Sequence, residues 1–121
     1  RVKSLVEKAI KESNLEEIEF LIERFDFVKP LEVALEAIKQ NRFWISQYIA
    51  EKHKIEIHMD NNNLLRKAVV KKDIQAVRWL ISKGVDVNTG EDSVLRPILE
   101  ASEHFCSEII KLLVDAGADM N

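Results

Sequence analysis

The residue types in this 121-residue chain that could bind a metal or supply a nucleophile are His53, His58, His104 and the single thiol, Cys106. His104 and Cys106 stand two apart, and on a helix or tight turn that spacing points them away from each other. A metal site would need further ligands from distant loops. Nothing in the sequence orients a Cys–His nucleophile, so Cys106 reads as filler of a small gap between neighbouring elements. Acidic residues pair at Glu16-Glu17, Glu91-Asp92 and Glu100 with Glu103. A catalytic pair needs one member desolvated to shift its pKa. These pairs fall on outward faces or turns and read as solvated surface. Asp60-Asn61-Asn62-Asn63 has a calcium-like composition but lacks the glycine and terminal bidentate glutamate of a calcium loop. It reads as a polar hairpin with turn-forming asparagines. With three glycines in the whole chain there is no phosphate-cradling loop. The expectation is a protein that is not an enzyme and needs no cofactor and no metal.

Two further features carry open alternatives. Arg66, Lys67, Lys71, Lys72, Arg78 and Lys83, with Lys52 and Lys54, form a local basic set. It is either a strip that attracts an acidic peptide or phosphate groups, or a solvated face balanced by Glu51, Glu56 and Asp73. Trp44 is either an exposed interface anchor or a packing residue against an irregular first repeat. Trp79 falls at a core position and reads as structural. The net charge of −3 argues against a general nucleic-acid binder. Hydrophobic residues at 46% and charged residues at 32% describe a globular chain. One cysteine excludes an internal disulfide and points to a reducing compartment or indifference to redox. No apolar run approaches the roughly 20 residues that span a bilayer, and no signal peptide is visible. These features lead us to expect an intracellular, cytoplasmic, monomeric domain that is not inserted in a membrane.

The elements that would carry any site are short amphipathic helices in pairs. First helices are marked by Leu5, Val6, Ala9 and Ile10, by Ala34, Leu35, Ala37 and Ile38, by Leu64, Leu65, Ala68 and Val69, and by Ile98, Leu99 and Ala101. Apolar residues at such steps share one helix face. Second helices carry Leu15, Ile18, Leu21 and Ile22, then Phe43, Tyr48 and Ile49, then Ile74, Val77, Leu80 and Ile81, then Ile109, Ile110, Leu112 and Leu113. Glu16, Glu19, Glu23, Gln75, Arg78, Glu108 and Lys111 fill their other face. The recurring small residues are Ala9, Ala37, Ala68 and Ala101, small enough to let helices approach, and they advance by 28, 31 and 33 residues. The last step is also a repeat of sequence: Leu80 maps to Leu113, Gly84 to Gly117, Asp86 to Asp119 and Asn88 to Asn121. Gly84 and Gly117 sit where a second helix ends and a left-handed backbone is needed. Pro30 suits the first turn of a helix. The pattern predicts an all-α single domain over 1–121 with about four stacked helix-turn-helix units, approximately 1–28, 29–59, 60–92 and 93–121. Stacking buries what one pair cannot bury alone.

Arg96-Pro97-Ile98-Leu99-Glu100-Ala101 and the ending Leu112-Leu113-Val114-Asp115-Ala116-Gly117-Ala118-Asp119-Met120-Asn121 resemble the ankyrin repeat, whose motifs are Thr-Pro-Leu-His-x-Ala and Leu-Leu-x-x-Gly-Ala-Asp-x-Asn. The likeness is strong over 63–121 and is one of helical pattern over 1–62. No unit has the motif's histidine, which is replaced by Glu7, Leu35, Arg66 and Leu99. The glycine that ends the family's first helix is replaced by Ser13, Asn41, Lys72 and Phe105. The resemblance implies an ankyrin-type α-solenoid with short or degenerate β-hairpin loops. It also implies a concave groove, formed by hairpin tips and first helices, that binds a protein or peptide partner. By position the groove would present Lys39 and Gln40. It would add Met59, Asp60 and Asn62 from a hairpin, with Val70 and Lys71 from the following helix. The fourth unit would add Asp92, Ser93, Leu95, Glu103 and His104. The function implied is an adaptor or recognition scaffold, and the alternative is a regulatory or targeting segment of a larger enzyme or effector. Ile109, Val114 and Ala118 have no following unit to cover them, so the parent protein is expected to continue with further repeats or a helix.

Overall fold

The computed structural model describes residues 1–57, 59–85, 87 and 107–117, the side chains of residues 59–62 excepted. Among these residues there are seven α-helices and no strand: α1 (Val2–Lys11), α2 (Leu15–Arg24), α3 (Pro30–Lys39), α4 (Phe43–Lys52), α5 (Met59–Val70), α6 (Ile74–Ser82) and α7 (Ser107–Asp115). The described residues are thus all-helical, and α1 to α6 come in consecutive pairs, which is consistent with an ankyrin-like helical repeat.

One turn design joins the helices of a pair. Ala9, Ala37 and Ala68 are buried near the ends of α1, α3 and α5. Four residues after each alanine the backbone turns left-handed, at Ser13 (φ 56), Asn41 (φ 62) and Lys72 (φ 56). The N–H of the next residue then returns to the alanine carbonyl: Asn14 to Ala9 at 2.9 Å, Arg42 to Ala37 at 2.8 Å and Asp73 to Ala68 at 2.9 Å. This is the Schellman closure, which satisfies carbonyls that a helix end would otherwise leave open. The residue that closes the first helix also starts the second. Asn14 Oδ1 accepts from Glu17 N–H and Asp73 Oδ1 from Ala76 N–H, each at 3.1 Å, the usual role of a polar N-cap. Hence α2, α4 and α6 each begin six residues after their alanine. The resemblance placed Ser13, Asn41 and Lys72 at a glycine position, and the backbone adopts there the conformation that a glycine would favour.

The chain divides into two compact blocks, Arg1–Ile55 and Glu56–Asn121. In the first, α1 packs against α2, α3 against α4 and α1 against α3. Its core joins Val6, Ala9, Ile10, Ile18, Leu21, Val28, Val33, Ala37, Ile45 and Ile49. Pro30 opens α3 as expected. Two expectations are corrected here. Leu5 is 45% exposed, although Val33 and Leu64, at the same distance before their alanines, are buried. Ile45, which lay outside the expected core set, is fully buried on α4.

In the second block α5 packs against α6 and α6 against α7. Leu64, Leu65, Ala68, Val69, Val77 and Leu80 are buried with Ile109 and Leu113. Ile109 was expected to lie uncovered. It is fully buried because it faces α6, whereas Val114, five residues on, is 40% exposed. The ends of α6 and α7 match bond for bond. Lys83 N–H reaches the Trp79 carbonyl at 3.0 Å and Gly84 N–H that of Ile81 at 3.0 Å; Ala116 reaches Leu112 at 3.0 Å and Gly117 reaches Val114 at 2.9 Å. Gly84 (φ 85) and Gly117 (φ 102) supply the left-handed residue.

Candidate partner-binding surface

The turn design leaves the last residue or so of each first helix facing outward beyond the buried alanine. Lys39 ends α3 and Val70 ends α5, each two residues after its alanine, and both are exposed. Val70 keeps 41% of its surface open. Lys71 follows it half-buried, its N–H bonded to the Lys67 carbonyl at 3.0 Å. Gln40 has a different task. Its Nε2 donates to the Glu7 carbonyl at 3.1 Å and to Glu36 Oε2 at 2.9 Å. Arg42 donates to the Lys11 carbonyl at 3.0 Å. Gln40 and Arg42 thus bind the second helix pair to backbone carbonyls of α1.

A second polar link joins α2 to α4. Glu19 was expected on a solvated face, yet its side chain is 13% exposed. It lies 2.9 Å from His53 Nε2 and 3.2 Å from Lys52 Nζ. Lys52 also donates to Tyr48 Oη at 3.4 Å, with its ammonium 5.7 Å from the ring centroid. Burial pushes the Glu19 carboxyl up, but hydrogen bonds from His53, Lys52 and Tyr48 and the charge of His53 outweigh it, so its pKa lies below the ordinary value. The Lys52 ammonium is pushed up, first by its hydrogen bond to Glu19 and then by Tyr48. A glutamate on a charged helical stretch gives little signal of this. The clue is distance along the chain, since Glu19 and His53 stand 34 residues apart, close to one repeat.

The other expected residues divide. Met59, Asp60 and Asn62 do not form a hairpin: all three lie at the start of α5. Asn and Asp favour helix starts as well as turns, so the polar run opened a helix. Asp92, Ser93, Leu95, Glu103 and His104 lie outside the described residues, as do His58, Phe105 and Cys106. The basic set is not one free strip. Arg78 pairs with Glu108 at 3.1 Å across α6 and α7, and Lys52 is held by Glu19. Trp44 is 49% exposed at the start of α4, whereas Trp79 is half-buried. Among the described residues no three His, Cys, Asp or Glu side chains are grouped to hold a metal ion. None of their helices is long and apolar enough to cross a membrane.

No family model matches the chain, and no solved structure matches it. A fowlpox virus (strain NVSL) protein named as an ankyrin repeat protein, FPV031, is 37% identical to it over 65 residues. That stretch is 52% of this chain and 19% of the viral protein. The similarity thus supports an ankyrin-like character and agrees with the paired helices and their shared turn. The chain covers about a fifth of the length of the relative that it matches.

Proposed function

We propose that the chain is a non-catalytic protein-interaction module, an ankyrin-like scaffold in which each block docks a protein or peptide at the outward ends of its own first helices. The observation that carries this reading is the recurrent placement of Lys39 and Val70. Each is exposed two residues beyond a buried alanine, on a turn locked by the same pair of backbone bonds. Rigid positions of this kind keep the entropic cost of binding low. A half-exposed valine beside a lysine offers a partner one apolar contact and one charge. Similarity to a protein named as an ankyrin repeat protein supports the same reading. Affinity would rest on a few anchors within the contact area.

The test compares the parent chain with Val70→Ser/Lys71→Glu and with Lys39→Glu as baits, with the captured proteins identified by mass spectrometry. The expected result is a partner held by the parent and lost by at least one variant, with the helical circular dichroism unchanged. A partner retained equally by all three would refute docking at these first-helix ends.

A further inference from the structure

We propose that the outward face shared by α2 and α4 is a second docking surface, for a protein segment that sets apolar side chains among lysines and arginines. α2 buries Ile18 and Leu21 and turns Glu16, Phe20 and Glu23 the other way. α4 buries Ile45, Ser46, Ile49 and Ala50 and turns Trp44 outward. The two helices are neighbours, because Glu19 on α2 holds both Lys52 and His53 at the end of α4. Phe20 is 58% exposed and Trp44 49%. Among the described residues neither ring is engaged by another ring or by a cation. One exposed apolar side chain is ordinary. Two large aromatics on the outward sides of adjacent helices are the kind of anchor that interfaces use. Phe20 is easily passed over in the sequence, because Phe20-Leu21-Ile22 reads as one apolar run. Its step from Ile18 and Leu21 in fact sends it to the opposite side of the helix.

Charge selects the occupant. Glu16, Glu17 and Glu23 are exposed and make no ion pair among the described residues. Of the basic groups that end these two helices, Lys52 is paired with Glu19 at 3.2 Å and Arg24 lies over the Phe25 ring at 5.8 Å. On the α2 side, Glu16, Glu17 and Glu23 outnumber the exposed cation Arg24, so the face is net acidic around Phe20. It repels phosphate, which disfavours nucleic acid and anionic lipid, and it attracts lysine and arginine. An exposed indole face also accepts an ammonium or guanidinium group. A basic amphipathic helix meets both demands, with its apolar stripe on Phe20 and Trp44 and its cations on Glu16, Glu17 and Glu23. None of these residues belongs to the first-helix ends, so the two surfaces stand or fall separately.

The probe is a fluorescent helical peptide of leucine and lysine at amphipathic spacing, titrated by anisotropy against the whole chain. The expected result is saturable binding that salt weakens. Phe20→Ser and Trp44→Ser should each weaken it on the order of tenfold, and Glu16→Lys/Glu23→Lys should abolish it, all with unchanged helicity. A peptide with serine for leucine, or glutamate for lysine, should not bind. Several results would overturn the proposal: no binding of the probe, equal binding by the Phe20 and Trp44 variants, equal binding of the serine peptide, or loss confined to Val70→Ser. Binding of vesicles of anionic phospholipid in preference to the peptide would overturn it too.

Discussion

His53 Nε2 lies 2.9 Å from Glu19 Oε1, and the two residues, 34 positions apart, come from successive helix pairs. Lys52 completes the contact at 3.2 Å. Folding lowers the Glu19 pKa, so the ionised carboxylate contributes stability above its ordinary titration range. That contribution is lost as pH falls through this range to the lowered value. Glu19→Gln should therefore be less stable than the parent near neutrality, by about 1 kcal/mol. The gap should narrow as pH falls through the ordinary carboxylate range and close once pH is below the lowered Glu19 value. Urea titrations of parent and variant across this range provide the check, and a gap independent of pH would show that the charge is irrelevant.

Ser46 is fully buried on α4, and among the described residues its hydroxyl has no hydrogen-bond partner. It stands nine residues after Ala37, where the other described pairs carry Ile18 and Val77, both buried. A buried hydroxyl without a partner costs roughly 1–3 kcal/mol. Ser46→Ala removes that group without adding volume and should stabilise the chain by about 1 kcal/mol. A rise in the urea midpoint with an unchanged slope is the expected readout. A fall would mean that the hydroxyl does have a partner.

Much of the architecture was legible because it rests on short-range rules. The alanines at 9, 37 and 68 mark helix ends closed by local backbone bonds, and a left-handed residue must follow at a fixed distance. Gly84 and Gly117 declare themselves for the same reason. What was not legible depends on reach or on neighbours. Glu19 looks like any surface glutamate until Lys52 and His53 fold over it. Leu5 has the pattern of a core residue but is 45% exposed. Asp60 and Asn62 belong to types that start helices and make turns alike, so their residue types do not decide between α5 and a hairpin. Phe20 and Trp44 differ from core aromatics only in the angle at which they leave the helix.

Gly84 and Gly117 offer a clean test of backbone strain. At each, an added Cβ would meet no heavy atom within 4 Å, yet φ is 85 and 102. Alanine there can hurt only through the left-handed backbone, at about 1 kcal/mol per site. Lys72, with φ 56, is the converse case. Lys72→Gly relieves strain but frees the unfolded chain, so the gain should be smaller, within about 1 kcal/mol. Thermal melts of Gly84→Ala, Gly117→Ala and Lys72→Gly should therefore move in opposite directions. A stabilising glycine-to-alanine change would contradict the turn geometry.

Leu80 and Leu113 stand 33 residues apart at matching places on α6 and α7, four residues before Gly84 and Gly117, and both are buried. Truncation to alanine removes the same side chain from two sites that the repeat makes equivalent. Each change should cost about 2–5 kcal/mol, and the two costs should lie close together. Val114 is the internal control: it adjoins Leu113 in sequence but is 40% exposed, so Val114→Ala should stay within about 0.5 kcal/mol. Denaturant titration of the three variants separates the alternatives. If α7 packs on α6 as a repeat, the two leucines are costly and the valine is not. If Leu113→Ala proves as mild as Val114→Ala, the leucine is not buried in solution and the matching of the two helix ends is broken.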